Sequence, residues 1–190
     1  MKAYLVGGAV RDTLLGLEPK ERDFVVIGSS IDEMLKANFI KIGKTFPVFL
    51  HPHTKEEYAL ARTEKKTGKR HTDFVCDFSP SVTLEEDLFR RDLTINAIVI
   101  NDFGDIVDPF NGQKDIEARQ LRHISEAFCE DPLRILRVAR FLAQLSDFKF
   151  SVHPETHKMI KTMVEKRALL DISAERILIE MEKALSSNKP

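Results

Sequence analysis

Short apolar runs broken by Gly, Pro and polar clusters fill roughly the first 110 to 120 residues. After them the apolar positions settle into the three-to-four-residue spacing of helices. The run AYLV (3–6) ends in Gly7–Gly8 and reads as a strand, and AVRDTLLG (9–16) reads as a short helix closed by Gly16. Beyond a Pro19 turn, RDFVVIG (22–28) predicts a second strand, and SIDEMLKANF (30–39) a helix with a polar start. FPVFLHP (46–52) and EEYALARTE (56–64) predict two more strands. Residues 65–81 are polar, basic at first and without periodicity, which predicts a mobile loop. TLEEDLFRRDLTINAIVI opens as a helix capped by Thr83, breaks near Arg91–Asp92, and finishes as helix or as the strand AIVI. A short strand, DIVD, follows among turn residues; from about residue 115 the pattern is helical throughout, in DIEARQL, DPLRILRVARFLAQL, PETHKMIKTMVEKR and SAERILIEMEKALSS. The fold class is therefore α+β, a mixed sheet with helices followed by an all-helical remainder.

Composition narrows the class without naming a function. The 190 residues, 43% hydrophobic and 31% charged, are enough for one domain with a helical appendage. A formal net charge of −1 means that any nucleic-acid surface must be a local one. Cys76 and Cys129 lie far apart with no CxxC spacing, which fits a reduced, cytoplasmic protein better than a disulfide scaffold. The N-terminus lacks signal-peptide features and no apolar run is long enough to span a bilayer.

Candidate chemistry clusters in four places. Gly7–Gly8 between a strand and a helix, with Arg11 in the first turn, suits a phosphate; the plain alternative is a tight turn whose Arg pairs with Asp12 or Asp23. Glu21 and Asp23, two apart at the mouth of the apolar segment FVVI, would share a strand face roughly 6–7 Å apart at Cα. Such a pair could hold Mg²⁺ against a nucleotide's phosphates, or could be a solvated strand end paired with Lys20 and Arg22. In RRD, Arg90 and Arg91 could bind triphosphate and Asp92 a ribose hydroxyl, or the three could form a helix-end ion pair. The helix EDPLRILRVARF carries Arg134, Arg137 and Arg140 at every third position with no acid among them, which points to an anionic partner. Asp131 beside Arg134 offers one acceptor and several donors. That set matches the amino group and ring nitrogen on the pairing edge of cytosine or adenine, and opposes uracil and guanine. Asp131 also suits a cap before Pro132. The pairs His51/His53 and His153/His157 read as surface histidines rather than metal ligands. Lys65, Lys66, Lys69, Arg70, Lys158, Lys161, Lys166 and Arg167 are either RNA-phosphate contacts or solvated charges.

Taken in order, YLVGGAVRDTLLG, RDFVVIG, FPVFLHPHTKEEYALARTE, RRDLTINA, DPFNGQKDI, LRHI and EDPLRILRVARF resemble the bacterial class II CCA-adding tRNA nucleotidyltransferases over nearly all of the chain. The resemblance implies a DNA polymerase β-like catalytic head over 1–122 and a helical neck over 123–190, with a base-selecting helix at 131–142. It implies template-independent addition of C and A to the 3′ end of tRNA from CTP and ATP, with Mg²⁺ as cofactor and release of pyrophosphate. It gives Glu21 and Asp23 to the metal, and Gly8, Arg11, Arg91, Asp92, Arg137 and Arg140 to the nucleotide. Asp131 and Arg134 become the base-selecting pair. The KKTGKR stretch matches a flexible loop that assists the switch from CTP to ATP. Asp108, Gly112 and Asp115 fall in a head–neck hinge, and ERILIE (175–180) matches a segment that steadies the neck.

Two departures qualify the expectation. The family's metal motif is usually Asp-x-Asp, and here it is Glu21-x-Asp23, so weakened activity is expected. The chain stops after the neck and contains no His-Asp dipeptide, so the RNA-gripping body and tail and the HD phosphohydrolase domain are expected to be absent, and tRNA affinity reduced. Two alternatives stay open: an impaired CTP/ATP-binding module that needs a partner for tRNA, and a poly(A)-adding enzyme.

Overall fold

A computed structural model describes residues 1–43, 46–66 and 74–187. β1 (Lys2–Val6) leads through Gly7 into α1 (Gly8–Leu14), and β2 (Asp23–Ile27) returns antiparallel to β1 with Val6 opposite Asp23. α2 (Ile31–Lys36) starts in a capping box, in which Ser30 and Glu33 each satisfy the other's backbone N–H. β3 (Ile40–Lys41), β4 (Val48–Leu50) and β5 (Glu57–Leu60) follow, with β5 parallel to β2 and Asp23 opposite Glu57.

The stretch 56–64, expected as one strand, is two: β5 and β6 (Thr63–Lys66). The reason is at Arg62, whose backbone N–H donates to Asp87 Oδ1 at 3.1 Å and whose carbonyl accepts from Arg90 Nε at 3.1 Å. Side chains thus take both backbone groups, and the sheet pairing stops there. The expected loop 65–81 also needs correction. β7 (Phe74–Asp77) pairs antiparallel with β6, Thr63 opposite Asp77. The core of the KKTGKR stretch, 67–70, lies outside the described residues, as do 71–73.

α3 (Leu84–Phe89) begins at Thr83 with a second capping box, closed by Glu86. The break at Arg91–Asp92 leads into a 3₁₀ turn, Thr94–Asn96, and then β8 (Val99–Ile100), so AIVI resolves as strand at its last two residues. β9 (Ile106–Val107) completes a seven-stranded sheet of order β3-β4-β5-β2-β1-β8-β9, in which only β2 and β5 run parallel. α4 (Gly112–Glu117) is tied back by Asp108, which accepts from the N–H groups of Gly112 at 2.7 Å and Gln113 at 2.9 Å.

The remainder is not wholly helical. β10 (Gln120–Leu121) pairs in parallel with β11 (Ser151–Val152). Between them runs α5 (Leu133–Gln144), and after them come α6 (Pro154–Glu165) and α7 (Ala174–Leu185), with α7 packed along α5. One face of the central strands buries Val6, Val25, Val99 and Leu88. A larger cluster joins Val10 and Leu93 to Val138, Phe141 and Met163, fastening the sheet layer to the helices that follow. At about 25 cal/mol per Å² of apolar surface, burial of this shared cluster helps hold α5 against the sheet end.

Candidate active site

Gly7 sits at φ +78°, a left-handed value that a side chain would strain, and so turns the chain sharply from β1 into α1. A Cβ on Gly7 would stand 3.6 Å from Nη1 of Arg91. Arg91 itself donates from Nη2 to Asp87 Oδ2 at 3.1 Å, and its Nε is buried with no partner. A guanidinium whose Nη1 lies beside a Gly-Gly turn fits an oxyanion ligand. Burial pulls the Arg91 pKa down from its usual value, against the pull of Asp87.

Asp23 begins β2, and Glu21 precedes the strand rather than belonging to it, so the two do not share a face through strand register as expected. They remain electrostatic neighbours. Asp23, open to solvent on one side, has its pKa raised by burial on the other, by Glu57 and by Glu21, while Arg91 lowers it. Glu57, level with Asp23 on β5, was not singled out from sequence; its position follows from a parallel pairing that no local pattern reveals. A cleft of about 500 Å³ lies at this edge, lined by Glu21, Asp23, Glu56, Glu57, Lys20, Arg22 and Lys55 among others. Among the described residues no three His, Cys, Asp or Glu side chains come close enough to form a complete metal cage. Mg²⁺ does not require one, since it commonly takes one or two carboxylates and fills its shell with water and substrate phosphates. Asp23, with its pKa raised beside Glu57 and Glu21, is part of a crowded carboxylate set that a divalent cation would relieve, so these residues fit Mg²⁺.

Arg11 is buried and already engaged. It donates to Asp12 Oδ1 from Nε at 2.8 Å and Nη2 at 2.6 Å, and from Nη1 to Asn96 Oδ1 at 3.1 Å. The pairing with Asp12 expected as the plain alternative is thus present. Asn96 donates in turn to Asp92 Oδ1 at 3.1 Å, and Asp92 Oδ2 accepts from Arg137 Nε at 2.7 Å. Burial alone would raise the Asp92 pKa; Arg137 and the bonds from Asn96 and Leu93 bring it below the usual carboxylate range.

The Arg stripe of α5 is not left for an external anion, contrary to the expectation drawn from its lack of local acids. Arg140 donates to Glu180 Oε2 at 2.6 Å and Arg137 lies 3.7 Å from Glu180 Oε1, besides its bond to Asp92. The acids come from α7 and from the RRD segment, 40 to 45 residues away. Nor do Asp131 and Arg134 bond to one another through their side chains. Arg134 donates to the carbonyls of Ala127, at 2.9 Å, and Arg90. Asp131 is held by Arg176, at 3.2 Å and 2.7 Å, and its Oδ1 accepts from Leu133 N at 3.1 Å, which is the capping bond expected before α5. A second cleft, about 570 Å³, lies at Arg134 and is lined by Glu64, Glu86, Phe89, Arg90, Ala127 and Glu130 among others.

Asp87 was also missed from sequence. Fully buried, it takes Arg90 at 2.7 Å and Arg91 at 3.1 Å. Its spacing of three and four before those arginines is a readable signal. The histidines behave as surface polar groups: His51 Nδ1 accepts from Thr54 N at 3.1 Å, and His153 Nδ1 accepts from Glu155 N at 3.4 Å.

A mixed sheet that presents a Gly-Gly turn and acids at one edge, with helices behind, is the architecture of a polymerase head domain. Residues 3–122 match the family described as Poly A polymerase head domain, and residues 149–190 match one described as probable RNA and SrmB-binding site of polymerase A. The chain belongs to the Poly A polymerase head-domain family. It is 57% identical over 190 residues to the CCA-adding enzyme of Hamiltonella defensa, covering all of this chain and 47% of that protein. The Bacillus stearothermophilus CCA-adding enzyme in complex with CTP superposes with a TM-score of 0.81 at 34% identity, over 98% of this chain and 45% of that one. A tRNA nucleotidyltransferase complexed with a primer tRNA and an incoming ATP analog superposes with a TM-score of 0.76 at 34% identity, over 98% of this chain and 54% of that one. The chain thus spans about half the length of the relatives it matches. Among the described residues no helix is long and apolar enough to cross a membrane.

Proposed function

We propose that this chain is the catalytic and nucleotide-selecting portion of a tRNA nucleotidyltransferase, which adds C and A to the 3′ end of tRNA from CTP and ATP and releases pyrophosphate in the cytoplasm. Residues 1–122 form the catalytic head and 123–190 the neck. The observation that carries the reading is the polar chain Arg11–Asn96–Asp92–Arg137, which ties the Gly-Gly turn to the proposed base-reading helix α5. The names of the relatives, and the CTP, ATP analog and tRNA in the neighbouring structures, support it.

The backbone at Gly8 and the Arg91 guanidinium, whose Nη1 lies beside the Gly7 turn, receive the triphosphate, and Arg11, held by Asp12 and Asn96, backs them with its positive charge. Asp92, fixed by Arg137 and Asn96, faces the ribose. Asp131 and Arg134 read the pairing edge of the base, and Arg137 and Arg140 hold the wall behind it through Asp92 and Glu180. Glu21 and Asp23 would hold Mg²⁺, which when bound makes the tRNA 3′-hydroxyl a better nucleophile and neutralises charge on the phosphates. That hydroxyl attacks the α-phosphate in line, and the bond to the β-phosphate breaks. The exposed Lys158 and Lys161 on α6, with Lys166 and Arg167 beyond it, lie within the segment matching the RNA-binding family and would meet tRNA phosphates.

Incubation with tRNA lacking its CCA end and with CTP alone tests this. Two added residues and then a halt are expected. Extension by ATP alone into a long ladder would establish the poly(A) alternative. Tight CTP binding without extension would establish the binding-module alternative.

A further inference from the structure

We infer that Arg119 and Lys149, at the start of the parallel β10–β11 ribbon, form a phosphate-contacting surface for RNA, apart from the residues assigned to the nucleotide and from the lysines of α6. The inference rests on the reading that the chain acts on tRNA, and it names a surface where the two would meet.

Both residues hold a backbone that glycine would hold more easily. Arg119 follows α4 at φ +56°, and Lys149 closes the 3₁₀ turn Ser146–Phe148 at φ +57°. A left-handed residue after a helical turn is usually glycine, because a side chain there is strained. At each of these turns the chain carries a long cation instead. The ribbon then brings the two together. Gln120 lies opposite Ser151, so one step back along the parallel strands Arg119 is level with Phe150, and Lys149 is the next residue back. Main-chain bonds fix both turns. Arg119 N–H donates to the Ile116 carbonyl at 3.1 Å, the Arg119 carbonyl accepts from Ser151 N at 2.9 Å, and Lys149 N–H donates to the Ser146 carbonyl at 3.1 Å.

The Arg119 side chain is placed as well. Its guanidinium carbon lies 5.5 Å from the ring centre of Phe148 and 5.7 Å from that of Phe150. Aromatic rings orient a guanidinium without cancelling its charge or using up its in-plane donors. Phe150 is buried in the core that joins sheet and helices, and Phe148 packs against that core, so the support is firm. Arg122, three residues along, shows the opposite arrangement, since it is taken up by Asp115 at 3.1 Å. Among the described residues neither Arg119 nor Lys149 is in such an ion pair. Beside them Gln120 Nε2 donates to Ser151 Oγ at 2.8 Å, adding an amide and a hydroxyl to the two cations. Those four groups are of the kinds that grip a sugar-phosphate backbone. Lys149 also opens the stretch 149–190 that matches the RNA-binding family.

The test is fluorescence anisotropy of a labelled RNA hairpin carrying a tRNA acceptor stem without its CCA end, titrated at several salt concentrations. The 190-residue chain is compared with the double variant Arg119→Gly, Lys149→Gly and with Lys36→Ala, Lys41→Ala, which removes equal charge from α2 and the edge strand β3. CTP binding and melting temperature are measured in parallel. Glycine suits both backbones, so the first double variant should melt close to the wild type and bind CTP equally well. Its affinity for the hairpin should fall about tenfold, with a salt dependence shallower by about one for each lost contact. The Lys36, Lys41 control should keep wild-type affinity. Wild-type affinity and slope in the glycine variant, or an equal loss in the control, would overturn the inference and leave the proposed function standing. Early melting with loss of CTP binding would assign the two residues to the fold and overturn it too. If the wild type binds CTP but not the hairpin, this surface falls together with the RNA half of the proposed function.

Discussion

Asp23 carries a cost that the fold does not relieve by itself. Its pKa is raised by burial, Glu57 and Glu21, so the folded state favours the protonated acid and loses stability as pH rises from about the ordinary value of 3.8 through the raised one. At neutral pH the ionised Asp23 is therefore a destabilising charge. Asp23→Asn should raise the melting temperature while abolishing nucleotide incorporation, and Mg²⁺ should stabilise the wild type more than this variant. Calorimetry with and without Mg²⁺ checks both, and a lower melting temperature for Asp23→Asn would count against the account. Glu21 presents its oxygens one methylene further out than aspartate, at a site where about half an ångström matters. Glu21→Asp should raise incorporation several-fold with little change in CTP affinity, read as kcat against KM.

Elements here are joined by buried ion pairs more than by local propensity. Truncating Glu180 leaves Arg140 buried and Arg137 short of a partner, so Glu180→Ala should cost about 3–5 kcal/mol in urea unfolding. Asp87 and Asp92 bear on acid stability. Burial would raise both carboxyls, but Arg90 and Arg91 at the first and Arg137 at the second hold them below the usual range. Their contribution is complete above the ordinary carboxylate value and is lost as pH falls through the depressed ones. Melting followed from pH 5 downward should therefore show a steep acid limb, flatter in Asp87→Asn. The elements legible in the sequence were those with a local signal: the Gly7 turn, the polar helix start at Ser30, the cap at Thr83, and the helical spacing of α5 to α7. Hidden were partners brought from afar. Glu57 reaches Asp23 through a parallel strand pairing, Arg62 ends a strand because Asp87 captures its N–H, and Glu180 takes up the arginines of α5. An Arg stripe without nearby acids thus looked like a site for an external anion, when acids from α7 and the RRD segment already met two of its three members.

For the whole molecule, a net charge of −1 leaves RNA binding to local surfaces such as the Lys158–Lys161 face of α6, so attraction for tRNA should weaken steeply with salt while CTP binding changes less. On the proposed reading these 190 residues, about half the length of their relatives, contain the chemistry and the choice of nucleotide. The most direct test of that reading presents the chain with tRNA lacking the 3′ CCA, Mg²⁺ and all four triphosphates in competition, with products resolved to single nucleotides. Extension by C, C and A, then arrest, with U and G excluded, is expected. Incorporation of U or G at rates near those of C and A, or no extension at any tRNA concentration, would contradict it.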